Sequence, residues 1–278
     1  VNASTTGTGA IDLDGLGTLI LTDVDTANGA ITASSAGALT VTDVASGTNG
    51  NIVLSTSSGD ITGLATVNAG SGNVTLNSAG AIVDDGSAGT VITGGVLTAD
   101  AAGAITIDST VTSANISTSA AGNVDLDETD GITLTDLDTN DGSITVDAGG
   151  LITATDVVAA GGSGDSVTLT TTTGGAVATL VTGADAVSIT ANAGDITIGA
   201  VTATAGTLGV TATAGSINDA ADDNTADFTA VGLITLTAQD EIGVLGSGSD
   251  LDLEFATGSS VNASTTGTGA IDLDGLGT

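Results

Sequence analysis

The sequence predicts an all-β protein, a parallel β-helix or β-solenoid of about twelve coils. Three observations carry that expectation. A short phrase recurs along the chain: Gly, any residue, aliphatic, any residue, aliphatic. The chain holds 43 Gly and only two aromatic residues, Phe228 and Phe255, yet 40% of its residues are apolar. Finally, residues 1–18, VNASTTGTGAIDLDGLGT, return unchanged as residues 261–278. A repeat is the first thing to look for, because it decides the architecture. Residues 1–260 therefore read as one full tandem unit and 261–278 as the start of the next.

The phrase appears as GAIDL at 9–13, GNIVL at 50–54, GNVTL at 72–76, GNVDL at 122–126, GSITV at 142–146 and GDITI at 194–198. Alternation with period two marks a strand buried on one face, and Gly, Asn, Asp and Ser punctuate the strands. Taking every second phrase as a coil start gives 9, 29, 50, 72, 96, 122, 142, 165, 185, 206, 227, 249 and 269. That makes twelve coils per tandem unit, most of them near the short end of the lengths solenoid repeats adopt. The coil over 96–121 is longer and is expected to carry a bulge or extra loop. The expected inward ladder residues are Ile11, Leu13, Ile31, Ile52, Leu54, Val74 and Leu76. Further along they are Val124, Leu126, Ile144, Val146, Val167, Leu169, Val187, Ile189, Ile196 and Ile198. An older duplication aligns residues 9–44 with 122–157 at a constant offset.

A string of β-sandwich domains is the competing architecture. Sandwiches need units of about 100 residues, longer strands and an aromatic anchor. Stacked coils of about twenty residues need none of these, and their narrow core suits small aliphatics. Disorder conflicts with the apolar fraction.

Net charge is −33, with no Lys, Arg or His. Internal salt bridges between side chains are thus excluded, and self-repulsion must be met by solvent cations or bound metal. A nucleic-acid partner is excluded, because nothing here neutralises phosphates. No Cys is present, so neither disulfide nor thiol chemistry arises. No apolar run reaches the roughly twenty residues that span a bilayer. No signal peptide is visible and the chain starts without Met, which says nothing about secretion, because a slice from the interior of an array would lack targeting segments in any case.

GNVTLNSAGAIV (72–83), ADAAGAITI (99–107), GSITVDAGGLITA (142–154) and ITANAGDITIGAV (189–201) resemble repeats of large secreted bacterial exoproteins. The nearest family is the filamentous-haemagglutinin-like adhesins and giant surface proteins. That resemblance implies a right-handed parallel β-helix, export, and a role outside the cell or at its surface. It carries over no functional residue, and the family's usual Lys and Arg are missing here.

Candidate chemistry is confined to carboxylates. Aspartates recur at i and i+2, on one face of a strand: Asp23 with Asp25, Asp125 with Asp127, and Asp136 with Asp138. Two of these pairs fall in the pattern DxDxxNG or DxDxxDG, the latter including Asp141. Clustered hard oxygen ligands suit Ca²⁺, so these seven residues are the metal candidates. The competing reading is plain solvation of turns. GGSGDSVTL at 161–169 resembles a calcium-binding nonapeptide, with Asp165 one place early. Triads, Schiff bases and His or Cys metal catalysis lack their residues. A carboxylate glycosidase would lack aromatic platforms for sugar, so no enzyme is expected. TxT elements such as VTLTTTT at 167–173 raise an ice-binding face, but too few coils carry them. The expected role is a structural repeat that forms a fibre, stalk or surface coat by coaxial stacking. Its partners are neighbouring copies of the same repeat, with cell-surface or matrix components as further candidates. The alternative is a ligand-binding adhesin, with Ca²⁺ or glycan at loops such as 96–121 or NDAADDN at 218–224.

Overall fold

A computed structural model describes residues 1–87, 89, 91–221, 223, 225–244, 250–255 and 258–276. The chain is an all-β parallel solenoid of about twelve turns, with no helix among the described residues. The coil start expected at Ser249, and part of the 218–224 loop, lie outside the described residues. Two compact units are distinguished, Val1–Thr129 and Asp130–Thr278.

In Val1–Thr129 three stacks form, and the turns before Ile92 build them from separate short strands. One stack begins with Ile11–Gly15, Ile31–Ser35, Ile52–Thr56 and Val74–Ser78, all parallel. Its inward ladder runs Ile11, Ile31, Ile52, Val74, Leu97, Ala114. A second ladder runs Leu19, Leu39, Ile61, Ile82, Ile105, Val124. The third runs Ala3, Val24, Val44, Val67, Ile92, then Ser109 and Glu128. Similar residue types thus sit one above another about 4.8 Å apart, and the ladder aliphatics between Ile31 and Leu97 are fully buried.

Asp130–Thr278 repeats the plan. Its ladders are Ile144, Val167, Val187, Leu208, Ile234, Val261, and Ile152, Ala176, Ile196, Ile217, Ile242, Ile271. The third is Leu137, Val157, Val181, Val201, Phe228, Leu253. Phe228 is fully buried.

Of the expected inward residues all are buried except Leu13, which is half-buried. The long coil at 96–121 needs correction. Leu97 lies under Ala114, and Ile92 under Ser109, closer along the chain than Val74 is to Leu97 in the turn before. No loop is inserted there. Residues 104–121 contain no Gly, and Ile105–Ala121 runs as one strand across all three stacks. The missing punctuation signals a turn without corners, which is shorter. The long turns are instead those from Leu208 to Ile234 and from Ile234 to Val261.

Close approach explains the Gly that opens each phrase. A Cβ on Gly29 would lie 2.1 Å from Gly9 O, and one on Gly50 would lie 2.3 Å from Gly29 O. Each turn's corner rests directly on the corner before it. A hydroxyl closes the same corner from inside. Thr26 Oγ1 donates to Gly29 O at 2.6 Å and Ser46 Oγ to Gly50 O, and at the next corner Thr56 Oγ1 donates to Gly59 O at 2.8 Å. Thr and Ser at the strand end are therefore buried yet satisfied, as buried hydroxyls must be.

Because every inward side chain has a neighbour above and below, ladder positions and outward positions must differ sharply. Ile189→Ala, at a fully buried site, should cost about 2–5 kcal/mol. Thr190→Ala, one residue on and facing outward, should stay within about 0.5 kcal/mol. Equal shifts in urea unfolding would show that the assigned strand parity is wrong.

Candidate functional site

The structure places the seven metal candidates on three separate strands. Asp23 and Asp25 lie on Asp23–Thr26. Asp125 and Asp127 are exposed on Val124–Glu128, with Asp127 directly over Asp108. Asp136, Asp138 and Asp141 lie on Ile132–Asp141. Among the described residues no group of three or more His, Cys, Asp or Glu is arranged to hold a metal ion.

What the structure adds is an aspartate from the following turn. Val24 pairs with Val44, which sets Asp43 beside Asp23. Leu137 pairs with Val157, which sets Asp156 beside Asp136, and Leu137 N donates to Asp156 O at 2.9 Å. Asp43 and Asp156 stand at the same offset as residues 9–44 and 122–157, so the older duplication carries the whole three-aspartate arrangement. The strands coincide as well: Ile31–Ser35 corresponds to Ile144–Ala148, and Leu39–Val41 to Ile152–Ala154.

Crowding has a measurable consequence. Partial burial, then a hydrogen bond to Asp23 and the Asp23 and Asp43 charges, raises the Asp25 pKa. Burial, followed by the charge of Asp23, raises that of Asp43. Burial and the charges of Asp136 and Asp156 push Asp138 up to about 6, and Asp136 also shares a side-chain hydrogen bond with it. Oδ1 of Asp156 is buried and has no hydrogen-bond partner. Where no cationic side chain exists, a proton held between two carboxyls relieves their repulsion, as a solvent cation does.

A third arrangement joins one member of an i, i+2 pair, Asp252 of Asp250 and Asp252, to an aspartate outside any pair. Asp227 and Asp252 are both nearly fully buried, at 4% and 2% exposure. They occupy successive turns, and Asp252 N donates to Asp227 Oδ2 at 2.8 Å. Burial pushes Asp227 up to about 7; the Asp252 N–H opposes this, while Asp219 adds charge and a hydrogen bond that raise it. Asp252 is raised by burial first, then by Asp250 and Asp274, and its Oδ1 lacks a partner. The sequence marks half of it: Asp250, Asp252 and Glu254 recur at i and i+2, whereas Asp227 has no acidic residue two places away. Glu128, the one buried glutamate among the described residues, is satisfied differently: Ser109 Oγ donates at 2.6 Å and Val111 N at 3.1 Å.

Asp165, in the nonapeptide-like stretch, accepts from Gly162 N at 2.8 Å and so closes its own turn. Outward hydroxyls do line up over several turns, as Thr170, Thr190, Thr211 and Thr237. The parallel row Thr145, Thr168, Ser188 breaks at Gly209.

The repeated segment also takes a defined place. In the first copy, Asn2–Thr5 pairs with Asp23–Thr26 and Ile11–Gly15 with Ile31–Ser35. In the second copy, Ser260–Thr265 pairs with Leu233–Ala238, Ile271 with Ile242, and Leu273–Leu276 with Leu251–Phe255. Both copies make the same corner: Thr5 Oγ1 donates to Gly9 O at 2.9 Å and Thr265 Oγ1 to Gly269 O at 3.1 Å.

Comparison with family models, with curated proteins and with solved structures gives no match to the chain. The fold is that of a β-helix repeat, and no family match supports a filamentous-haemagglutinin-like identity.

The raised aspartates give a pH dependence of known sign. A carboxyl whose folded pKa lies above its unfolded value favours the fold below the unfolded value, and that contribution is lost as pH rises through the folded one. For Asp227 the window runs from the ordinary 3.8 to about 7. The protein should be more stable at pH 5 than at pH 8, with Asp227 supplying on the order of 2 kcal/mol of the difference. Urea unfolding at the two pH values checks this. Asp227→Asn keeps an acceptor for Asp252 N and should flatten the dependence; an unchanged slope would place the effect elsewhere.

Proposed function

We propose that the chain is a structural repeat of a long extracellular or cell-surface protein, in which successive units matching residues 1–260 stack coaxially into a fibre, stalk or coat. One observation supports this above the others. Residues 261–276 add a further turn on Leu233–Ala238, Ile242 and Leu251–Phe255, and they are the same residues that open the chain. No Pro occurs anywhere in the chain to mark a linker between units. The resemblance of its phrases to filamentous-haemagglutinin-like exoproteins points the same way, as does a surface rich in carboxylates. Its partners are neighbouring repeats, together with surface or matrix components that tolerate a strongly acidic rod. No catalytic role is proposed.

A chain of two tandem repeats tests the reading. Electron microscopy should show one continuous thin rod, and fibre diffraction a meridional spacing of about 4.8 Å. With about twelve turns, each added repeat should lengthen the rod by about 58 Å. Beads joined by flexible gaps would overturn coaxial stacking.

The alternative reading gives cations a larger part, and the proton-sharing aspartates favour it. At neutral pH and above, Ca²⁺ gathered near Asp23, Asp25 and Asp43 and near Asp136, Asp138 and Asp156 would offset their repulsion without a three-carboxylate coordination site, none being formed among the described residues. Melting at pH 8 in millimolar Ca²⁺ should rise by several degrees over NaCl of equal ionic strength with EDTA. Asp23→Asn combined with Asp136→Asn should remove most of that rise. Identical melting temperatures in both salts would leave screening alone, whose length is about 8 Å at physiological ionic strength.

A further inference from the structure

Alternation of buried and outward residues holds along strands such as Ile144–Ala148 and Val187–Ala191. It fails at Leu251, Asp252 and Leu253, the one run of three buried residues among those described. Leu253 continues the ladder of Phe228. The Asp252 side chain therefore points away from that ladder, yet it is covered all the same. The chain also lengthens here. Val201 follows Ile196 by five positions, whereas Phe228 follows Ile217 by eleven and Leu253 follows Ile242 by eleven. The longer segments carry Asp219, Asp222, Asp223 and Asp227 in one turn, and Asp250 and Asp252 in the next.

Main-chain bonds hold the two buried aspartates against each other. Asp227 N donates to Asp252 O at 3.0 Å, and Asp252 N donates to Asp227 Oδ2 at 2.8 Å. Asp219 shares a side-chain hydrogen bond with Asp227, and its charge acts on Asp252 as well. A buried carboxylate oxygen that makes no bond is costly, and Asp252 Oδ1 is such an atom. A proton held between Asp219 and Asp227 leaves it as it was. No cationic side chain exists to reach it.

We propose that Asp227 and Asp252 together bind one Ca²⁺ ion between the two long turns. Ca²⁺ takes six to eight oxygen ligands in flexible geometry, whereas Mg²⁺ demands a near-ideal octahedron and sheds its water reluctantly. The two carboxylates supply part of the Ca²⁺ set, and main-chain oxygens and water supply the rest. No third acidic ligand is needed, in keeping with the lack of any three-carboxylate group among the described residues. The ion ties one turn to the next where the longer segments depart from the regular ladder. It is separate from the outward aspartates around Asp23 and Asp136, and it does not depend on stacking between repeats. Ca²⁺ held here supplies the part of the melting rise that outlasts Asp23→Asn with Asp136→Asn.

Calorimetric titration of the whole chain with Ca²⁺, at pH 8 and physiological salt, tests this. Asp227→Asn with Asp252→Asn should lower the uptake by one ion per chain while circular dichroism retains the strand signal. Asp12→Asn with Asp147→Asn removes the same number of charges at exposed positions and should leave uptake unchanged. Should the first double variant lose its strand signal, Asp252→Asn alone carries the same comparison. Tb³⁺ gives a local readout. The chain has no Trp or Tyr, and its two Phe, Phe228 and Phe255, lie next to Asp227 and three places past Asp252. Tb³⁺ luminescence excited through phenylalanine therefore reports an ion held at this place. It should saturate, fall as Ca²⁺ is added, and vanish in the variant that lacks both carboxylates. Equal Ca²⁺ uptake by that variant and the unmodified chain overturns the proposal and leaves the pair to a proton alone. Luminescence that survives loss of both carboxylates overturns it equally. Rod images of tandem repeats are a separate measurement, so coaxial stacking can stand while the calcium site fails.

Discussion

Everything in this protein depends on the parallel ladder between one turn and the next. A residue's neighbours are fixed not by its own strand but by residues a full turn away. Ile52 is defined by Ile31 beneath and Val74 above. That constraint accounts for the composition. Side chains stacked at about 4.8 Å in a narrow interior must be small or branched, so Val, Ile, Leu and Ala fill it. Corners that rest on corners must be Gly, as at Gly29 and Gly50. Hydroxyls buried beside those corners must find a carbonyl, as Thr26 and Ser46 do.

Stacking also aligns charges, and there the ladder works against the fold. An aspartate at an outward position meets whatever the next turn places above it. With no cationic side chain, the structure answers with hydroxyls, backbone donors and shared protons. Ser34 Oγ donates to Asp14, one turn away, at 2.5 Å. Burial and neighbouring carboxylates raise the pKa of Asp138 to about 6 and that of Asp227 to about 7.

Much of this was legible in the sequence, because period-two alternation and a constant corner residue are local signals that survive stacking. Ile144, Val146, Val167 and Leu169 are buried where alternation places them. Two things were not legible. The first was that a turn has three strands, since strands such as Asp43–Ala45 are too short to alternate visibly. The second was the acidic arrangement. Asp43 and Asp156 sit one turn beyond their partners and are isolated in the chain. Only the turn length brings them alongside Asp23 and Asp136. The Gly-free stretch of 104–121 misled for a related reason: absence of corners shortens a turn, whereas counting between phrases lengthens it.

The sequence identity of residues 1–18 and 261–278 has a consequence for inheritance. Two identical stretches 260 residues apart let recombination remove or add a whole unit without changing a single junction residue. The neighbours left facing each other are the ones that already met. Copy number is then a free variable for selection. A lineage can lengthen or shorten such a protein in single recombination events, while point changes within the repeated stretch remain tightly held by two sets of neighbours at once.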